Sequence, residues 1–159
     1  MELWLAAFII GIVAGLRAMT APAALAWGAA MGTPALGNTP LAFLGYAYTP
    51  WVLTLLAVGE MITDQLPGTP SRKVPLQFGT RLLVGALCGA ALALHEQAGW
   101  GGAAWGGVIA GLLGALAGTL GGAAARGWLA ARFGRDRPAA LIEDAVAIVA
   151  TFLVVWSLR

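Results

Sequence analysis

Six charged side chains lie within, or at the rim of, segments that are otherwise apolar enough to cross a bilayer. They are Arg17, Glu60, Asp64, Arg81, Glu143 and Asp144. A charge near the centre of a membrane is costly, so such side chains usually pair with one another or face a water-filled cavity. Acids and arginines placed this way can carry protons, bind an anionic group or neutralise each other. We therefore take these six as the first candidates for function.

The composition is typical of a membrane protein. Of 159 residues, 60% are hydrophobic and 10% are charged, whereas soluble domains carry about 25% charged residues. The net charge of +2 does not indicate nucleic-acid binding, because six of the nine cations lie in two loops of the membrane-type sequence, at 63–75 and 126–137. With one cysteine and one histidine, we expect no intrachain disulfide, no Cys-based metal site and no resident cofactor. The expected partner is the lipid bilayer itself.

Five apolar stretches are long enough to span a bilayer, which takes about 20 residues. They cover 3–30, 41–62, 76–95, 102–133 and 138–158. The pattern predicts an all-α membrane protein, a bundle of about five transmembrane helices in a single domain over 1–159. The first and fourth stretches are so long that each either tilts strongly or breaks. The expected break points are Gly15-Leu16-Arg17 and Gly118-Thr119.

Glycine recurs at four-residue spacing on several of these stretches. The sets are Gly11/Gly15, Gly85/Gly89, Gly107/Gly111 and Gly114/Gly118/Gly122. On a helix such positions share one side, which lets two backbones approach closely. We predict glycine-rich packing faces, and such faces are also compatible with a homodimer.

Loop cations predict the orientation in the membrane. The loops at 63–75 and 126–137 carry Lys and Arg, whereas the connections at 31–40 and 95–101 carry neither. Because cytoplasmic loops are enriched in these residues, both cationic loops are placed in the cytoplasm. Alternation over five spans then puts the N-terminus in the cytoplasm and Arg159 outside.

Glu60 and Asp64 are four residues apart, so they share one face at the cytoplasmic end of the second stretch. Arg81 lies early in the third stretch, on its glycine face, so we expect it to face protein rather than lipid. Its expected partner is Glu60, Asp64 or Asp144 in a charge-assisted pair, or else the anionic group of a ligand.

Arg17 is the cation that membrane topology explains least. It lies about 20 Å along the first stretch, beyond comfortable reach of the membrane surface, and Thr20 follows it. Arg17 therefore needs a carboxylate, a free carbonyl of a broken helix or a water-filled cavity. Glu143 and Asp144 lie one to two turns inside the fifth stretch, where the dipole of the helix N-terminus explains only part of their presence.

Four segments carry a resemblance to a known family. They read GLRAMTAPAALAW (15–27), EMITDQLPGTPSRKVP (60–75), FGTRLLVGALCGAAL (78–92) and GRDRPAALIEDAVAIV (134–149). On these segments the chain resembles a bacterial domain-of-unknown-function family of small glycine-rich inner-membrane proteins. The resemblance covers nearly the whole chain. It implies the fold and a bacterial inner-membrane location, and it carries no activity.

The segment at 120–138 reads LGGAAARGWLAARFGRDRP. Its glycine-rich helix followed by a short basic loop resembles segments of membrane enzymes that transfer nucleotidyl or phosphoryl groups to prenyl and lipid alcohols. In those enzymes, acids hold Mg²⁺ and basic loop residues hold phosphates. The resemblance implies that Glu60, Asp64 and Asp144 bind a divalent cation. The phosphate or headgroup would lie on Arg72, Lys73, Arg135 and Arg137.

Three functions stay open from the sequence. The first is a small transporter or channel for protons or an anionic or zwitterionic solute, with Arg17 and Arg81 facing a polar pathway. The second is a Mg²⁺-dependent enzyme acting on lipid or prenyl phosphates. The third is a structural or assembly protein whose charges pair internally. A cavity that reaches Arg17 indicates transport, whereas a dry pair with a carboxylate indicates the structural role.

Overall fold

A computed structural model describes residues 2–66, 74–96 and 101–158. Within that part of the chain it contains six α-helices, one 3₁₀-helix and no strand. The α-helices are α1 (Leu3–Leu16), α2 (Thr20–Ala30), α3 (Thr49–Thr63), α4 (Pro75–Glu96), α5 (Gly102–Phe133) and α6 (Asp136–Trp156), and the 3₁₀-helix covers Ala42–Gly45. Three of them, α4, α5 and α6, are long and apolar enough to cross a membrane. The architecture is all-helical and compatible with a membrane protein.

The helices α4, α5 and α6 closely follow the third, fourth and fifth predicted stretches. However, α5 is a continuous helix of 32 residues, so the break predicted at Gly118-Thr119 is wrong. The hydroxyl of Thr119 donates to the Ala115 carbonyl of its own helix at 2.8 Å. Gly118 lies directly against the backbone of Ile12 in α1. Both residues therefore serve packing inside an unbroken helix.

The second predicted stretch is only partly one helix. The 3₁₀-helix occupies its first residues, and α3 begins at Thr49, with Pro50 in the first turn, where a missing N–H costs nothing. At 15 residues, α3 is about 22 Å long, which is shorter than the ~30 Å hydrocarbon core of a bilayer. The predicted span over 41–62 is wrong in its first half, because Pro50 sets a later helix start.

The first predicted stretch folds as a helical hairpin instead of one crossing. Its helix α1 runs parallel to α5, since Gly11 lies against Gly111 and Gly15 lies against Ala115. The helix ends at Leu16, at the predicted break point. What the sequence did not predict is that the chain then reverses direction.

Helix α2 returns toward the end of the molecule where α1 began. The backbone N–H of Met19, just before α2, donates to Glu60 near the C-terminus of α3 at 2.8 Å. Further along α2, the ring of Trp27 contacts Trp51 near the N-terminus of α3, with 4.9 Å between centroids. The turn around Arg17 and Met19 therefore lies inside the bundle, while both arms of the hairpin reach the same end.

The start of α1 lies at the opposite end of the bundle from the ends of α3 and α5. The end of α3 and the end of α5 lie together, because Arg126 donates to the backbone carbonyl of Asp64 at 3.0 Å. We call this the loop end. Trp4 of α1 packs on Gly106 at the start of α5, at the opposite end, which we call the terminal end. The sequence predicted that the first stretch begins on the side of the two cationic loops, whereas in the described residues α1 begins at the terminal end and α3 and α5 finish at the loop end.

Helices α1, α4 and α5 pack through glycine at backbone contact. Gly85 of α4 lies against Gly111 of α5, and Gly89 of α4 lies against Gly107. A Cβ at any of these positions would overlap with a backbone atom of the neighbouring helix. Small residues allow this close approach between membrane helices, where no hydrophobic effect drives association.

Candidate functional site

The hairpin turn places Arg17 in a cluster of charged side chains near the loop end. Arg17 is fully buried. Its Nε donates to Oδ1 of Asp144 at 2.6 Å, and its Nη1 donates to Oδ2 of Asp64. Its Nη2 lies 3.9 Å from Oε2 of Glu143. One guanidinium is thus shared by three carboxylates, one at the C-terminus of α3 and two from α6.

The local backbone explains why the chain turns at Arg17. This residue has an extended conformation, with φ −138° and ψ 108°, which ends α1. Helix α2 begins three residues later at Thr20, and Pro22 lies in its first turn, where proline is tolerated because those N–H groups have no partner in the helix. The proline thus favours a new helix start rather than a continuation of α1.

Glu60 accepts hydrogen bonds from two backbone N–H groups that directly precede α2. Its Oε1 accepts the backbone N–H of Ala18 at 2.9 Å, and its Oε2 accepts that of Met19 at 2.8 Å. A helix N-terminus carries unpaired N–H groups and a partial positive charge, so a carboxylate is favoured there. Glu60 therefore stabilises the returning arm of the hairpin.

Arg81 donates hydrogen bonds to the last two backbone carbonyl groups of α1. Its Nη1 donates to the carbonyl oxygens of Gly15 at 3.0 Å and Leu16 at 2.6 Å. Its Nη2 donates to Oε1 of Glu60 at 3.2 Å. Glu60, one of the predicted partners, therefore contacts Arg81, and the two side chains bind the backbone groups of the two helix ends that meet in the turn.

Arg126 of α5 joins the cluster, although the sequence interpretation treated it only as a loop cation. Its Nε and Nη2 donate to the two carboxylate oxygens of Asp136 at 2.9 and 2.6 Å. Its Nη1 lies 3.4 Å from Oε2 of Glu143 and 3.8 Å from Oδ2 of Asp64. Spacing is the signal that reveals it, because Arg126 follows Thr119 by two helical turns and Thr119 faces α1.

The described residues of the cluster carry more acids than bases. Its buried or nearly buried members are the carboxylates of Glu60, Asp64, Glu143 and Asp144 and the guanidinium groups of Arg17, Arg81 and Arg126. Asp136, at 56% side-chain exposure, adds a fifth carboxylate at the rim. With all of these groups ionised, the described part of the cluster carries a net negative charge.

Two grooves reach the cluster from the loop end. One of about 550 Å³ lies between α3 and α4, and Met19, Glu60, Asp64 and Arg81 are among its lining residues. The other, of about 650 Å³, lies between the end of α3 and the start of α6. Asp64 lines both grooves, so it is the carboxylate of the cluster with two routes to the surface.

A third groove, of about 240 Å³, lies between α2 and α6. It extends from Thr20, beside the hairpin turn, to Met31 and Trp156 at the terminal end. Thr20 was predicted together with the charged residues, but it has no hydrogen bond to them and is one of the residues that line this groove. Its hydroxyl is buried and has no hydrogen-bond partner.

The predicted phosphate ligands divide into two pairs. Arg72 and Lys73 lie outside the described residues. Arg135 and Arg137 are exposed and line the loop-end groove beside Asp64. In the described ranges, no group of His, Cys, Asp and Glu side chains has the arrangement of a metal site.

No family model, curated protein or solved structure matches this chain. The resemblance to the bacterial inner-membrane family, and the location that it implies, therefore stay predictions.

Proposed function

We propose that the chain is a small membrane carrier that moves protons, alone or coupled to a solute, through the cluster around Arg17. The observation that carries this proposal is a buried guanidinium at the turn of a membrane hairpin, shared by Asp64, Glu143 and Asp144. A proton on one of these carboxylates removes its negative charge and weakens its ion pair with Arg17. The guanidinium then interacts more strongly with the other two carboxylates. Protonation is therefore coupled to the position of the hairpin turn.

The charge balance favours protons over the free anion that the sequence left open. An anion approaching Arg17 meets carboxylates that already occupy the guanidinium, and it must displace one of them. A proton instead relieves the repulsion between neighbouring carboxylates. Asp64, which lines both loop-end grooves, is the expected entry point. Asp144 is the expected acceptor within the cluster, and its 2.6 Å contact with Arg17 Nε has to open when it takes the proton, because a nearby cation favours the ionised carboxylate.

The position of the hairpin turn also supports a carrier. Interrupted membrane helices recur at the ion and substrate sites of transporters, where the helix ends lie near the bilayer midplane. Here the turn lies between one groove from the loop end, which reaches Met19, and a groove from the terminal end, which reaches Thr20. The residues between these grooves form the barrier that a carrier of this kind has to open.

A structural role is the second candidate. Arg17 is fully buried, ion-paired with carboxylates and absent from the lining of the three grooves described above, which is the arrangement expected for this role. Glu60 and Arg81 then serve only to cap the hairpin, and the remaining ion pairs attach it to α3 and α6. Against this, Nη2 of Arg17 is buried without a hydrogen-bond partner. Buried donors in purely structural networks are nearly always satisfied.

The described residues do not favour the Mg²⁺-dependent enzyme. Asp64 and Asp144 accept hydrogen bonds from Arg17, and Glu60 accepts two backbone N–H groups and Arg81. A divalent ion bound by these three acids would have to replace both helix caps and guanidinium contacts. In this structure the three carboxylates accept hydrogen bonds from arginine side chains and backbone N–H groups.

Proton flux into proteoliposomes tests the proposal. Purified protein is reconstituted with an internal pH-sensitive dye, and a potassium diffusion potential with valinomycin drives proton uptake. We expect uptake with the wild type and a loss of about ten-fold or more, equivalent to about 1.4 kcal/mol, in Asp144→Asn. The matched control is Glu2→Gln, which removes an exposed carboxylate outside the cluster and should keep the wild-type rate.

Two further measurements separate the candidates. Size-exclusion profiles in detergent show whether each variant remains folded. If the wild type shows no flux, alone or with a panel of zwitterionic and anionic solutes, while Asp144→Asn loses its folded profile, the structural role stands and the carrier is refuted.

A further inference from the structure

The hydroxyl of Thr20 is a buried polar group that the cluster does not use. Thr20 is 7% exposed, and its Oγ1 has no hydrogen-bond partner. It lines the deep end of the groove between α2 and α6. Buried hydroxyls are almost always hydrogen-bonded, so an unpaired one that lines a cavity points to a missing partner.

The hydroxyl of Thr151 and the indole N–H of Trp27, which also line this groove, already donate hydrogen bonds within the protein. The hydroxyl of Thr151 donates to the Ala147 carbonyl at 2.7 Å, and the indole N–H of Trp27 donates to Thr54 Oγ1 at 2.9 Å. The remaining walls are apolar or aromatic, and Phe152 and Trp156 are among them. A charged ligand would lose its hydration here without compensation. The groove therefore fits a neutral molecule with one hydrogen-bonding oxygen.

The depth of Thr20 argues against an ordinary phospholipid. Thr20 shares the groove with Ile148 and Thr151, which lie about 20 Å along α6 from its start at the loop end. A phospholipid entering from the terminal end would keep its polar headgroup near Met31 and Trp156. Only the apolar end of its acyl chain would reach Thr20, and the hydroxyl would stay unpaired.

We propose that the groove binds a neutral, lipid-soluble carbonyl compound of the quinone class. A ring carbonyl accepts the hydroxyl hydrogen of Thr20, and the aromatic and aliphatic walls cover the ring and the first part of the tail. Quinones carry their oxygens on an uncharged ring that enters the hydrocarbon region, as this position requires. The proposal concerns binding alone and does not rest on proton transport.

Binding of a short-chain ubiquinone analogue to the purified protein in detergent tests this site. The readouts are saturable quenching of tryptophan fluorescence and the shift in thermal unfolding. We expect saturable binding by the wild type. In Thr20→Val, which keeps the shape and removes the hydroxyl, affinity should fall by about five-fold, the usual effect of one neutral hydrogen bond. The matched control Thr80→Val should keep the wild-type affinity, because that hydroxyl donates to the Leu76 carbonyl of its own helix at 2.8 Å and lies outside this groove.

A second variant keeps the test decisive if Thr20→Val does not fold. Ala24→Phe fills the groove from α2 without altering Thr20, and it should abolish saturable binding. The proposal is overturned by non-saturable quenching in the wild type or by equal affinity in Thr20→Val. It is also overturned if a phospholipid or a prenyl alcohol without a ring carbonyl competes as well as the quinone does.

Discussion

Glu60 and Arg81 form an ion pair of 3.2 Å, and each caps one arm of the same hairpin. Glu60 accepts the N–H groups that lead into α2, while Arg81 donates to the last carbonyls of α1. A reversal of the backbone within apolar surroundings leaves polar groups at both helix ends, and each unsatisfied group is costly there. Glu60 and Arg81 supply hydrogen-bond partners to the backbone groups at both helix ends, and their opposite charges neutralise each other.

The Glu60–Arg81 pair should behave as one energetic unit. We expect Arg81→Ala to destabilise the fold by about 3–5 kcal/mol, because it leaves a buried carboxylate without its cation. Glu60→Ala should have a similar effect, and the double variant should cost clearly less than the sum. Unfolding in mixed micelles, followed by circular dichroism, measures the cycle. Strict additivity would contradict the coupling.

Two glycines of α4 should respond in opposite ways to alanine. At Gly89 an added methyl group overlaps with the Gly107 backbone, so Gly89→Ala should lose about 1–3 kcal/mol or more. At Gly79 nothing lies within 4 Å of that position, so Gly79→Ala should gain about 0.5–1 kcal/mol from helix propensity. Thermal unfolding of the two variants side by side tests the close packing. Equal effects at both sites would show that α4 and α5 are not in backbone contact.

Single cysteines should report the N-terminus and the α5–α6 connection on opposite sides of the membrane. The native Cys88 is buried, so it should not react with a membrane-impermeant maleimide. We expect Glu2→Cys and Tyr48→Cys to be labelled from one side of oriented vesicles and Phe133→Cys from the other. Labelling of Glu2→Cys and Phe133→Cys from the same side would restore the five-crossing arrangement that the sequence predicts.

Arg126 should matter far more than its neighbour Arg132. Arg126→Ala leaves Asp64 and Glu143 without one of their cations, and we expect a loss of about 3 kcal/mol. Arg132 is exposed and lies over the Trp128 ring at 5.7 Å, a contact worth about 0.5–1 kcal/mol. Denaturation midpoints of Arg126→Ala and Arg132→Ala compare the two directly. A larger loss of stability in Arg132→Ala than in Arg126→Ala would mean that the ion pairs of Arg126 do not stabilise the fold, and that Arg126 serves only as a cation at the membrane surface.

The sequence is informative about the cluster because charges in apolar stretches have few ways to be stabilised. Arg17, Arg81 and their carboxylates had to meet one another or water, and the structure brings them together. Arg126 was missed for a related reason. Arginines near helix ends are expected at the cytoplasmic surface whatever they contact, so only the packing of α5 against α1 and α6 distinguishes Arg126 from Arg132.

The hairpin could not be predicted from periodicity. Helices α1 and α2 are apolar on most sides, so their pattern is the same for one long helix or two short ones. The turn itself, Arg17-Ala18-Met19, has no glycine–proline turn signal. Its partners Glu60 and Arg81 are more than 40 residues away in the sequence. The reversal is therefore decided by long-range contacts.

The glycine contacts among α1, α4 and α5 also determine which parts of the molecule can move. Side chains that interdigitate can change rotamer and let helices slide, but backbones in direct contact have no such freedom. These three helices therefore form one rigid body, against which α2 and α6 pack, while α3 packs mainly on α2. Any motion that exposes Arg17 must rotate those helices relative to that body, and the three residues after Leu16 are the hinge about which α2 turns.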